Sequence, residues 1–172
     1  MSAPNIQSIE AKEGEDVFHT MSKERGEMFE GGIENDERIN MAWVETAVKH
    51  AQTYSRLLRC FSDKTKLKLT KVDDDIYSSF RAEFPDLNIQ SFTDDDIKSE
   101  AVKPQWRKWM MSWEKVLPDN FHYLTLIRLN SAEDYSQENS TVVPRIQFLA
   151  IELARNREGY NDSIKFDDDF LN

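Results

Sequence analysis

From Ile33 to Asn172 the chain contains a single glycine, Gly159; the other four, Gly14, Gly26, Gly31 and Gly32, lie in the first 32 residues. Tight hairpins depend on residues that reach positive φ, so a stretch of this length with one glycine argues against a hairpin-rich sheet protein and for helices. Charge divides the chain at the same place. Residues 1–36 carry nine acids and three bases, and residues 161–172 carry four acids and one base. The whole chain has 32 Asp and Glu against 22 Lys and Arg, so its net charge of −10 resides mainly at its ends. The segment 1–34 is polar and acidic, with no apolar periodicity. It cannot bury enough surface to offset its ordering entropy, and a disordered arm is expected there. A frayed acidic tail is expected at 165–172, which leaves one helical domain at 35–164.

Prolines and caps divide the domain. The first helix is expected from Asp36 to Phe61, with Asn35 or Asp36 as N-cap. Ile39, Trp43, Ala47, Ala51, Tyr54, Leu57, Leu58 and Phe61 share one sector, and Gln52, Glu45, Arg56 and Lys49 lie opposite. A second helix fits 72–84, where Val72, Ile76, Phe80 and Phe84 share a face and Pro85 stops it. The segment Leu67–Thr70 before it reads as extended. Thr93 with Asp96 forms a short capping box, and Phe92 with Ile97 a hydrophobic staple. Pro104 opens a helix lined by Trp106, Trp109, Met110, Trp113 and Leu117, and Pro118 closes it. Residues 121–129 fit either a helix capped by Asp119 or an alternating strand. Pro144 opens the last long helix and Gly159 closes it. Val143, Ile146, Leu149, Ala150, Leu153 and Ala154 form its main face, while Phe148 and Ile151 point the other way. A helix that is apolar on both sides is either central or exposes a docking patch. The expected class is therefore mainly α, with five to six helices and one short extended segment.

The chemistry that a catalytic reading needs is missing from these residues. No glycine-rich phosphate loop, CxxC, HxxxH or GxSxG occurs, so no catalytic residue, metal site or cofactor is expected. His50 sits beside Tyr54 and Trp43 with no second His or Cys at ligand spacing, which is the pattern of a core histidine bonded to a neighbour. Three Asp triplets, 73–75, 94–96 and 167–169, stand out. Two occupy first turns of helices, where the macrodipole favours acids. Four Trp, ten Phe and five Tyr supply ample core. A single cysteine, Cys60, excludes an internal disulfide and points to a reducing compartment. No apolar run approaches the length of a membrane span, and the N-terminus lacks the regions of a signal peptide. The acidic balance argues against DNA as a partner. One segment breaks the pattern: Arg56 to Lys71 holds six bases and one acid. It reads as a solvated loop or as a strip for ribosomal RNA or an acidic protein surface.

Four stretches carry a resemblance. They are MAWVETAVKHAQTYSRLL (41–58), LKLTKVDDDIYSSFRAEFP (67–85), FHYLTLIRL (121–129) and PRIQFLAIELARNREGYND (144–162). Together they resemble the polysaccharide biosynthesis domain-containing protein family over roughly residues 36–163. The resemblance implies a small orthogonal helical bundle. It also implies a cytoplasmic, non-enzymatic, client-specific chaperone that binds the GTP-binding domain of nascent translation elongation factor 1-alpha. The ribosome and the nascent polypeptide-associated complex are the implied neighbours, and a monomer without cofactor is expected. The alternative is an enzyme or accessory protein of polysaccharide synthesis, for which Asp73–Asp75 is the one candidate carboxylate group. Polar and apolar positions in the matching blocks supply the candidate client-binding residues. These are Lys64, Lys66, Lys68 and Lys71 in the basic strip, with Arg145, Phe148, Ile151, Arg155, Asn156, Arg157, Glu158 and Tyr160 in and after the last helix.

Overall fold

The computed structural model describes residues 37–118 and 123–171, with side chains from Val44 onward. The expected arm 1–34, the caps Asn35 and Asp36, and the side chains of Ile39 and Trp43 lie outside the described residues. Among the described residues there are five helices: α1 (Glu37–Cys60), α2 (Asp73–Glu83), α3 (Asp94–Lys98), α4 (Lys103–Met111) and α5 (Arg145–Glu158). Two strands, β1 (Leu124–Arg128) and β2 (Ser140–Pro144), form a small antiparallel sheet, and 3₁₀ turns occur at Lys64–Lys66 and Asp168–Leu171. The domain is mostly helical, as expected, but its extended part is a paired two-stranded sheet and not one short segment, so the expected helical bundle is corrected to that extent.

The sheet resolves the ambiguity of residues 121–129 for the part that is described. Thr125 pairs with Val143 and Ile127 with Thr141, and all four are buried. The period-2 pattern therefore wins over the helical one, because β2 offers a partner with the same alternation. The strands need no glycine because eleven residues, not a two-residue turn, connect them. That loop is fastened by Asn139, whose side chain bonds the backbone of Asn130 and Asp134.

Most helix ends fall where local chemistry places them. The Asp96 carboxylate accepts the Thr93 N–H at 2.7 Å, and Phe92 and Ile97 are both buried. Gly159 takes φ +83 and ends α5. The expected helix to Pro118 stops early, at Met111. There the Ser112 hydroxyl donates to the Trp109 carbonyl at 2.6 Å, and the chain continues in i→i+3 turns.

α5 is the central element. Every residue from Ile146 to Asn156 is buried. α2, both strands and the Lys64–Lys66 turn pack on it, and α1 reaches it through Tyr54, whose ring meets Phe148 edge-on at 5.0 Å. A second aromatic cluster joins α2 to α4, with Phe84 stacked on Trp106 at 4.1 Å and Phe80 edge-on to Trp109. The expected frayed tail is instead packed. Lys165 pairs with the backbone of Ala132 and Asp134, Phe170 stacks on Tyr135 at 5.4 Å, and Gln52 of α1 bonds the Phe170 carbonyl. Phe166 and Phe170, set among the acids, supply the apolar surface that holds this segment down.

Candidate functional site

α5 carries two polar sets with opposite fates. The first lies inside. Glu152 is fully buried and accepts hydrogen bonds from Tyr54 Oη (2.9 Å), Arg128 Nη2 (3.0 Å), Arg155 Nη1 (2.8 Å) and Asn161 Nδ2 (2.9 Å). Arg155 also donates to the carbonyls of Ile89, Arg128 and Leu129. Arg128 donates to the Ser131 carbonyl and to Asn161, and Asn156 donates to Tyr54 Oη. Desolvation opposes ionisation of Glu152, but the two guanidiniums outweigh it and hold its pKa at about 2. These charges tie β1, α5 and the loops at 89 and 161 together. Their hydrogen bonds run to one another and to backbone carbonyls, and Arg128 Nε is the member left without a partner among the described residues.

Five sequence candidates are thereby removed from the surface. Arg155 and Asn156 belong to this network. Phe148 and Ile151, expected to cover client surface, have no exposure, and the Phe148 ring meets His50 and Tyr54 of α1 edge-on. Burying each contributes roughly 1.5–3 kcal/mol to the fold. Lys64 is buried as well, and its ammonium donates to the Phe61 carbonyl at the end of α1. Its role is that of a C-terminal cap. Arg145 is half-buried at the opposite end of α5, about 18 Å from Arg157 by helix rise.

The second polar set lies outside and forms one face. The Lys64–Lys66 turn packs against α5, and the chain then runs through Lys68 and Lys71 into α2. Arg157 pairs with Asp74, and its guanidinium lies over the Tyr77 ring at 4.9 Å. Arg81 grips Glu158 with Nε and Nη2, each at 2.7 Å, while Tyr77 Oη donates to the same carboxylate. Hydrogen bonding and charge from Arg157, with Lys68 behind it, lower the Asp74 pKa. Tyr160 is exposed just beyond. So Lys68, Arg157, Glu158 and Tyr160, chosen from segments some 90 residues apart, share a surface across α2, while Lys66 pairs with Asp63 and Lys71 is exposed just before α2. Sequence reasoning missed Tyr77 and Arg81 of α2, and it named Asp74 only within the Asp73–Asp75 carboxylate group of the alternative reading. Their i, i+3, i+7 spacing beside the apolar stripe was the available signal.

The remaining chemistry is structural. Asp73 of the first triplet accepts the N–H groups of Leu69 and Thr70 and the Thr70 hydroxyl, which shapes the entry to α2. His50 is buried and bonded to Thr125 Oγ1, and burial, then Arg145, push its pKa well down. It is the core histidine that its position suggested. Among the described residues no group of three or more His, Cys, Asp or Glu is arranged to hold a metal ion. No helix among them is long and apolar enough to cross a membrane.

Fold and face together define a small, mostly helical α+β domain, internally matched in charge, with one mixed-charge surface. The chain belongs to the PBDC1 family: the family model described as PBDC1 protein matches residues 39–166. Protein PBDC1 of Homo sapiens is 46% identical over 130 residues, which span 76% of this chain and 55% of the human protein. The mouse protein is 45% identical with 65% of its length matched, so the chain spans a little over half to two thirds of these relatives. The Schizosaccharomyces pombe homologue is 42% identical over 78% of this chain and 92% of its own length. A solution NMR structure of a Saccharomyces cerevisiae protein, 38% identical, superposes with a TM-score of 0.66 over 76% of this chain and 90% of its own.

Proposed function

We propose that this domain is a non-enzymatic, client-specific chaperone that binds the GTP-binding domain of newly made translation elongation factor 1-alpha. It acts in the cytoplasm as a monomer, near the ribosome and the nascent polypeptide-associated complex, without metal or nucleotide. The reading extends the family resemblance. The observation that carries it is the meeting of the basic strip and the end of α5 on one face. Lys68 and Arg157 give that face cations at its edge, Tyr77 and Tyr160 give it aromatic surface, and Asp74 and Glu158 set its register. Such a mixture suits discrimination of one protein surface better than generic apolar holding.

The test is capture during translation in cells depleted of the endogenous protein. Wild-type protein should retain nascent elongation factor 1-alpha and restore its solubility. The variant Lys68→Glu, Lys71→Glu, Arg157→Glu should lose both while keeping its melting temperature. Normal solubility of the factor after depletion, or full capture by the charge-reversed variant, would overturn the reading.

A further inference from the structure

Residues 166–171 lie along α1 as a bound peptide would. Gln52, Arg56 and Arg59, at i, i+4 and i+7 on one stripe of the helix, all donate to them. Gln52 Nε2 meets the Phe170 carbonyl at 2.9 Å, Arg56 Nη2 the Leu171 carbonyl at 3.4 Å, and Arg59 Nη2 the Asp167 carbonyl at 2.8 Å. The Asp134 carboxylate accepts the Asp167 N–H at 3.1 Å. These four bonds use backbone groups, which any peptide carries. Side chains are read at three positions. The Arg59 guanidinium lies over the Phe166 ring at 4.5 Å and holds Asp168 at 2.6 Å, and Phe170 stacks on the Tyr135 ring at 5.4 Å. The pattern recognised is Phe-x-acid-x-Phe.

The cover is shallow, and the surface beneath it is held by other contacts. No residue of the Asp168–Leu171 turn is buried, and the Asp168 side chain is 92% exposed. An exposed ion pair contributes little, so this segment belongs to the part of a fold that opens locally at low cost. Asp134, by contrast, also accepts from Ser55 Oγ at 3.0 Å, and Asn139 fastens its loop. The segment also leaves a donor unused: Arg59 Nε is buried without an acceptor among the described residues. We propose that this stripe of α1, with Asp134 and Tyr135, is a docking site for an acidic linear peptide of another protein that carries the Phe-x-acid-x-Phe pattern. Residues 166–171 occupy it as an intramolecular stand-in. A partner enters by displacing them, and its apparent affinity falls by the fraction of time the site is covered. The tether gives the stand-in an effective concentration on the order of millimolar, so only a better-matched or locally concentrated partner displaces it. The site shares no residue with the face of α2 and α5, and it does not rest on the chaperone reading.

The probe is a fluorescein-labelled peptide, Ile-Lys-Phe-Asp-Asp-Asp-Phe-Leu, titrated with the full chain and followed by anisotropy. Asp168→Lys with Phe170→Ser uncovers the site and leaves its readers intact, so this variant should bind the peptide about tenfold or more tighter than wild type. Adding Arg59→Glu should abolish that binding, and a scrambled peptide of the same composition should not bind. Equal affinity of wild type and uncovered variant, or equal binding of the scrambled peptide, would overturn the proposal. A second arm needs no substitution. Nuclear magnetic resonance of the wild-type chain with about 5 mM unlabelled peptide should show the amides of residues 166–171 moving toward random-coil positions. Signals that stay in place would overturn displacement. A dimer that forms with rising protein concentration in the absence of peptide would also overturn the assignment, in favour of exchange of this segment between two copies.

Discussion

Arg128 Nη2 of β1 stands 3.0 Å from Oε2 of Glu152 in α5, and neither side chain has any exposed surface. A buried carboxylate with four donors is satisfied. Removing one guanidinium leaves the rest unmatched in a place water does not reach. Arg155→Ala should therefore cost about 3–5 kcal/mol, as breaking buried pairs does. Urea unfolding followed by tryptophan fluorescence measures it. A loss below about 1 kcal/mol would mean that water enters the site.

The same carboxylate sets an acid limit. Its pKa is about 2 in the fold against 4.5 for the ordinary group. A depressed pKa stabilises the fold fully above the unfolded value, and that stabilisation is lost as pH falls through the folded value. The contribution, on the order of 3 kcal/mol, should disappear between about pH 4.5 and about pH 2. The stability difference between wild type and Glu152→Gln should shrink over that window. A difference that is constant with pH would show that the Glu152 carboxyl does not titrate there.

Phe148 and Tyr160 stood together as sequence candidates and should now separate. Phe148→Ala should lose about 3–5 kcal/mol, the range for deleting a buried aromatic ring. Tyr160→Ala should stay within about 0.5 kcal/mol in the same denaturation experiment. Equal effects would contradict the burial assigned to the two rings.

Gly159 has φ +83, and a Cβ there would lie 3.3 Å from the Asp162 carboxylate. Gly159→Ala should destabilise by about 1–2 kcal/mol, and Gly159→Asn by less, since Asn visits this region of backbone space more readily. Thermal melting of the two variants gives the order, and Ala tolerated as well as Asn would refute it.

The acidic end should behave as part of the domain. Arg59 holds Asp168 at 2.6 Å and Asp134 at 3.2 Å, and its guanidinium lies over Phe166. Arg59→Ala should raise amide exchange at residues 165–171 and in the last turns of α1, while α5 remains protected. Exchange unchanged at residues 165–171 would mean that the stacking of Phe170 on Tyr135 suffices to hold the segment.

What the sequence revealed and what it hid follow from distance along the chain. The cap at Gly159, the box at Thr93 and Asp96, and the stop at Pro85 are local and were legible. Phe148 was ambiguous because an apolar position on a helix does not say what lies opposite, and Tyr54 comes from 94 positions away. Arg155 read as a surface cation, because its carboxylate lies three residues back on a helix already dense in apolar side chains while its carbonyl partners lie at Ile89, Arg128 and Leu129. The strand at Leu124–Arg128 needed its partner at Ser140–Pro144 to outweigh the helical alternative. For the mixed-charge face, the cations were legible but the acids and aromatic ring of α2 that join them were not.

The position of α1 has a consequence for the order of synthesis. Its apolar stripe leaves the ribosome first, whereas β1, α5 and the packed segment at 165–171 that cover it are translated last. At 5–20 residues per second the interval from Cys60 to Leu171 lasts roughly 5–20 seconds. During it α1, at 24 residues, is long enough to form alone but has nothing to bury its stripe against. Every copy of the domain thus passes through a period in which its own longest helix is an exposed apolar surface beside the exit site.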